Sequence, residues 1–268
     1  MDYGALISES VEYTREALAG KWTRWLVFIL CSLPGALIQF TFDPEKLRAA
    51  KPTDWQDMLS LIPWPQIILL ILAGFLLSFI VSGYIVRVYR GAPTPPGFEE
   101  PGSLYLDGIR LMIVDILWSI PLILVFAAML ALIFLAFTAG KESLFLALGA
   151  TLILLAVAVV LTIVTILYSI LGSVRFARTG SIREGIRFSA ITPLIRTIGW
   201  GAYIIALIIL LVIEIIFSFA VGMFAIIPFM GWLFPLALGP LFVVFSARFI
   251  SLVYDHGVTQ VRDTDQVP

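Results

Sequence analysis

The sequence predicts an all-α fold, a polytopic membrane bundle of about six transmembrane helices in three parallel repeats of interfacial helix plus helical hairpin. Three observations carry that expectation. Only 13% of the 268 residues are charged, 17 basic and 18 acidic, against 60% hydrophobic and a mean hydropathy of +1.04. Soluble chains carry about 25% charged residues, so there are too few ions here to cover a water-facing surface. Six apolar windows reach the roughly 20 residues that a helix needs to cross about 30 Å of hydrocarbon. The basic residues, finally, fall mostly on one side of those windows.

The windows are 25–42, 66–86, 111–139, 144–172, 198–222 and 229–253. The first is short and contains Pro34-Gly35, which predicts a kinked or partly re-entrant span, because an unpaired backbone group in lipid is costly. The third and fourth are joined only by Gly140-Lys141-Glu142-Ser143, a tight hairpin with a polar tip. Pro121 interrupts the third, and Pro228, Gly231, Pro235, Gly239 and Pro240 interrupt the start of the sixth, where freed carbonyls could line a cavity or mark tolerated kinks. With the N-terminus inside, 13 basic residues are internal and 4 external, the latter being Lys46, Arg48, Lys51 and Lys141. Both termini are therefore expected to be cytoplasmic, in the plasma membrane. The first apolar run starts only at Trp25, after Asp2, Glu9, Glu12 and Glu16, so no cleavable signal peptide is expected. The external stretch 42–65 carries Trp55 and Trp64 for interfacial anchoring, and Pro93, Pro95, Pro96 and Pro101 stiffen a connector over 91–102.

A pattern of acidic, small, β-branched and charged residues precedes each odd span, as Glu9-Ser10-Val11-Glu12, Asp107-Gly108-Ile109-Arg110 and Glu184-Gly185-Ile186-Arg187. The last two copies lie 77 residues apart and match most closely. After each even span stands an arginine: Arg87 in Gly83-Tyr84-Ile85-Val86-Arg87, Arg175 in Gly172-Ser173-Val174-Arg175, and Arg248 in Ser246-Ala247-Arg248-Phe249. The chain thus reads as one membrane domain with repeats at 1–91, 92–180 and 181–257 and a polar tail at 258–268. Because each unit crosses twice, the repeats are parallel, which argues against a transporter built of inverted halves. Tyr3, Ile7, Val11, Thr14 and Leu18 share one face of the first amphipathic stretch, with Glu9, Glu12 and Glu16 on another. Ser181-Ile182-Arg183-Glu184 reads as a capping box.

Gly20-Lys21-Trp22, Gly83-Tyr84 with Arg87 and Arg90-Gly91, and Leu106-Asp107-Gly108 with Leu111 give the chain a family likeness. It resembles a multi-pass membrane family of unknown function found mainly in methanogens and other archaea, over nearly the whole chain. More loosely it is similar to the membrane domain beside some glycerophosphodiester phosphodiesterases, although no phosphodiesterase domain is present. The resemblance implies an archaeal membrane and supplies no activity.

Candidate chemistry is sparse. Glu214 is the one acid deep in a span, either a proton or cation ligand, an arginine's partner, or a protonated packing device. Asp115, about one turn inside the cytoplasmic edge, is expected to pair with Arg87 or Arg175 and tie two units together, the alternative being a transport site. Arg87, Arg175 and Arg248 could ring a vestibule and gather anions or lipid headgroups, or serve only as positive-inside anchors. The chain has one Cys (Cys31) and one His (His256), read as a packing residue and a solvated one. With no P-loop, Rossmann fingerprint, HExxH or nucleophile elbow, neither an enzyme, a cofactor nor a metal site is expected. Net charge is −1, so nucleic acid is not an expected partner. Membrane lipids, other membrane proteins or a second copy are. The first reading is a non-enzymatic interaction or scaffold subunit. The alternative is a small-solute, ion or lipid transporter or channel with its path near the pseudo-threefold axis.

Overall fold

A computed structural model describes residues 1–43, 45, 55–139, 141–224, 227 and 231–265, without the side chains of 55, 139, 141–144 and 261–265. The described residues are mostly helical and contain no strand. In chain order they form α1 (Tyr3–Leu18), α2 (Trp22–Leu37) continued by a 3-10 turn (Ile38–Thr41), α3 (Trp55–Ser60), α4 (Trp64–Tyr89), α5 (Pro101–Ala139) and α6 (Lys141–Thr179). Then come α7 (Ile182–Gly185), α8 (Phe188–Ile198), α9 (Trp200–Met223) and α10 (Leu233–Asp265). Six stretches are long and apolar enough to cross a membrane: Trp22–Thr41, Trp64–Tyr89, Pro101–Thr138, Phe145–Thr179, Trp200–Met223 and Leu233–Gln260. Their outward faces are apolar, with Leu130, Phe134, Phe137, Phe145 and Leu146 all exposed, as lipid rather than water requires.

Two sequence expectations are corrected, the separate interfacial helix at Asp107–Arg110 and the capping box at Ser181. Of the two readings of the span prolines, the structure agrees with toleration: α5 and α10 run without a break through Pro121 and Pro240, and α2 through a buried Pro34, as local adjustment in lipid permits. The stretch Asp107–Arg110 is not a separate interfacial helix but part of the first turns of α5. Helix α1 buries Ser10, Tyr13, Thr14, Ala17 and Leu18, so Thr14 and Leu18 of the apolar stripe are covered while its Val11 stays 53% exposed, as a helix at a membrane surface allows. Ser181 sits at the N-cap of α7 without a side-chain cap bond, and its N–H donates to Thr179 Oγ1 at 3.3 Å, because Glu184 is engaged elsewhere. In addition, α10 continues to Asp265, so most of the expected polar tail is helical. The hairpin tip at 140–143, Pro228, and the basic residues Lys46, Arg48 and Lys51 lie outside the described residues or side chains.

Contacts divide the chain into two compact units. One comprises Asp2–Ile109 and Ile205–Ser251. There Phe28 meets Tyr84 and Phe98 edge-on at 5.1 and 5.3 Å, and Tyr84 stacks on Phe98 at 5.0 Å. Val86, Val88, Val244 and Phe249 are buried around them. Helix α4 ends at Gly91, whose φ of +80° only glycine adopts freely, and the chain turns back toward α5. The second unit comprises Met1, Arg110–Ile204 and Leu252–Pro268. Its core packs Trp118 on Phe188 at 4.7 Å and Tyr168 on Phe188 at 4.9 Å. Trp118 Nε1 donates to the Gly185 carbonyl at 3.1 Å and Tyr203 Oη to the Leu167 carbonyl at 2.8 Å, so both polar tips are satisfied inside an apolar cluster. Gly180, at φ +70°, ends α6 as Gly91 ends α4.

Candidate functional site

The residues just outside the spans carry most of the polar chemistry. In the first unit, Gly83 of α4 lies against the backbone of Leu104, and Gly108 of α5 lies against the backbone of Phe79. A Cβ at either position would fall inside the facing carbonyl, so two helices touch backbone to backbone through reciprocal glycines. This contact brings Arg90 Nη2 within 2.6 Å of Asp107 Oδ2, whose side chain is 7% exposed. Arg87, one turn earlier, donates to the Gly97 carbonyl at 3.0 Å, the Glu100 carbonyl at 3.3 Å and Ser103 Oγ at 3.0 Å. Glu100 has φ +53°, an uncommon value for a side-chain-bearing residue, and Arg87 holds its carbonyl there.

Arg248 belongs to the same unit. It is 7% exposed, donates from Nη2 to Glu9 Oε1 at 2.6 Å and from Nη1 to the Ala92 carbonyl at 3.3 Å, and lies 4.6 Å over the Tyr13 ring. Helix α1 is thus tied to α10 by a forked cation rather than by its apolar face. Burial pushes the Tyr13 phenol up to about 12, against the opposing pull of Arg248.

In the second unit the arrangement recurs. Gly172 of α6 packs against the Gly185 carbonyl, and Arg175 donates from Nη2 and Nε to Glu184 Oε2 at 2.6 and 3.2 Å. Arg187 Nη1 adds a bond to Glu184 Oε1 at 3.0 Å. Arg178 donates to both oxygens of Asp255 at 2.7 and 2.8 Å and lies 5.8 Å over Tyr254. The hydrogen bonds from Arg175 and Arg187 hold the Glu184 carboxyl below the usual glutamate range. Because the folded value lies below the unfolded one, this contribution is complete above the ordinary glutamate range and disappears as pH falls through the lowered value. The melting temperature of the wild type should therefore converge on that of Glu184→Gln below about pH 4. A gap between the two that stays constant down to pH 3 would contradict the pair.

Each sequence-predicted candidate has a definite place. Arg87, Arg175 and Arg248 are each spent on carbonyls or a carboxylate of their own unit, which leaves them little capacity for headgroups or solutes. Asp115 pairs with no arginine among the described residues. Its Oδ1 instead accepts from Ser173 Oγ at 3.2 Å, since Arg175 is turned toward Glu184 and Arg87 toward Gly97. Glu214 is exposed on α9, with no hydrogen bond or ion pair among the described residues. Cys31 is buried, and His256 sits 3.2 Å from Gln260 Nε2 on α10. No cluster of metal-ligating side chains occurs among the described residues. Sequence reasoning did not pair Asp107 with Arg90 or Arg178 with Asp255; the recurring arginine three residues after Arg87 and Arg175 was the available signal.

The profile of a family described as a protein of unknown function (DUF4013) matches residues 66–227, more than half of the chain. The chain belongs to the DUF4013 family. The matched part of this DUF4013 protein holds the Arg90–Asp107 and Arg175–Glu184 pairs, Asp115 and Glu214. Gly20-Lys21-Trp22, Glu9 and Arg248 lie outside it, so the match is narrower than the whole-chain likeness expected from the motifs. Comparison with curated proteins and with solved structures found no significant match.

Proposed function

We propose that this DUF4013 protein is a non-enzymatic subunit of the cytoplasmic membrane that contacts lipids and partner proteins, with both termini cytoplasmic. One observation carries the reading. Glu214 lies some 20 Å along α9 from Trp200 at about 1.5 Å per residue, on a face it shares with exposed Leu211 and Ile215. A carboxyl at that depth costs a few kcal/mol unless something meets it, and no basic residue of the described chain does. The face suits a partner helix that offers a basic or hydrogen-bonding side chain in the membrane.

The repeat reading belongs to the same proposal. Glu9, Asp107 and Glu184 each hold an arginine that follows an even span, namely Arg248, Arg90 and Arg175. That recurrence supports three parallel repeats of one ancestral unit, and it supports a structural role for the motif acids.

A transporter or channel is the second reading. It is favoured by a hollow of about 710 Å³ beside Ser32, Gln39 and Trp232, but neither Glu214 nor Asp115 lines it. Native mass spectrometry of protein extracted from its own membranes separates the two. The subunit reading expects stoichiometric partner chains with the wild type, lost from Glu214→Leu while its melting is unchanged. A lone protomer that retains a defined solute, indifferent to Glu214→Leu, would replace that reading with transport.

A further inference from the structure

Beneath α1 runs a trough of about 560 Å³ whose walls are Ile7, Val11 and Leu18 of α1, Ile213 and Phe217 of α9, and Phe242 of α10. All of it lies in one unit of the fold. Phe217 and Phe242 stack at 5.5 Å to form part of it. The polar atoms of its other lining side chains are turned away from it: Thr14 Oγ1 donates to the Ser10 carbonyl at 2.7 Å, and Trp25 Nε1 to the Leu18 carbonyl at 2.9 Å. Arg15 contributes only carbon atoms to the lining, its guanidinium lying outside the trough. It lines the trough, is exposed, and its guanidinium makes no hydrogen bond or ion pair among the described residues.

From this geometry we infer a binding site for a membrane phospholipid, its acyl chain in the trough and its phosphate on Arg15. A cation whose carbons line an all-hydrocarbon trough and whose guanidinium stands outside it matches an amphiphile with an anionic head, and guanidinium forks match phosphate. The headgroup chemistry can be narrowed further. Glu12 stands three residues before Arg15, near enough along the helix to be its neighbour, and Glu16 stands next to it; both are exposed. A purely anionic head would meet a local charge of −1, whereas an ammonium beside the phosphate answers the two carboxylates. The site therefore takes an amino-headed zwitterionic phospholipid in preference to an anionic one. The earlier candidates Arg87, Arg175 and Arg248 are engaged elsewhere, so α1 and not the span ends supplies the headgroup contact.

The site deepens the lipid-contact half of the proposed function and does not depend on a partner at Glu214. The test uses the full-length protein, delipidated in detergent, titrated separately with phosphatidylethanolamine and phosphatidylglycerol and read by native mass spectrometry. One phosphatidylethanolamine should be retained per chain, more tightly than phosphatidylglycerol. Arg15→Gln should weaken its binding about tenfold, the loss of one charge-assisted contact. Val11→Trp, at a position already exposed, should fill the trough and remove the bound lipid, with melting in lipid-free detergent unchanged for both variants. Equal retention by wild type and both variants, or phosphatidylglycerol bound as tightly as phosphatidylethanolamine, would overturn the site. Because lipid is weighed on the isolated chain, its loss leaves the partner reading untouched, and a missing partner leaves this one untouched.

Discussion

Substituting Gly108 by alanine is expected to destabilise the protein by about 3 kcal/mol, near the upper end of what overpacking costs. The added Cβ would meet the backbone of Phe79, and no rotamer change relieves a clash with main chain. Helices α4 and α5 would have to part, which would also lengthen the Arg90–Asp107 bond that their contact sets up. Gly149→Ala supplies the control, since nothing lies within 4 Å of the position where its Cβ would be. That variant should stay within about 1 kcal/mol of the wild type, on the stabilised side if helix propensity dominates. Thermal melts in detergent distinguish the two, and similar melting for both variants would show that the glycine contact is not tight.

The tie between α1 and α10 gives the second large effect. Arg248 is buried, and Glu9 Oε1 is its only carboxylate partner among the described residues. Glu9→Ala leaves that cation uncompensated, a change that costs about 3–5 kcal/mol for a fully buried pair. The Glu9 side chain is 52% exposed, so water repays part of the loss and about 2 kcal/mol is expected. The double variant Glu9→Ala with Arg248→Met should recover part of it, because an apolar side chain of similar length suits the buried site beside Tyr13. Hydrogen exchange should show the amides of α1 opening in the single variant. If the double variant melts at the sum of the two single losses, the residues are not coupled.

Much of this architecture was legible because lipid imposes a blunt requirement. About 20 apolar residues are needed per crossing, so the windows found the six long helices, although α4 and α10 run past their windows to Tyr89 and Asp265 as ordinary helix. The errors share a cause, namely contacts made by distant chain segments. The hydrophobic pattern of α1 grouped Tyr3, Ile7, Val11, Thr14 and Leu18; Thr14 and Leu18 are buried, and Ser10, Tyr13 and Ala17 are buried with them on the side where Arg248 reaches Glu9 and Tyr13. The capping-box pattern at Ser181 was overridden because Glu184 is worth more to two arginines than to one backbone N–H. The prolines of α5 and α10 left breaks and tolerated kinks equally open in the sequence, and the helices continue through them. The acidic-Gly-Ile-Arg motif was visible as a repeat, but its meaning was tertiary: the glycine admits a neighbouring backbone and the acid holds an arginine. Nothing in the sequence marks Arg15 apart from the other basic residues, because the trough beside it forms only when α1, α9 and α10 come together.

In the proposed function the polar residues at the span ends are structural, and a partner is proposed to meet the exposed face of α9 around Glu214. The most direct measurement is to place a photo-crosslinking amino acid at Ile215, beside Glu214 and 58% exposed, and to irradiate intact membranes. One discrete protein adduct, abolished when Glu214→Leu is added, is the predicted result. Crosslinking to lipid alone, unchanged by Glu214→Leu, would contradict it.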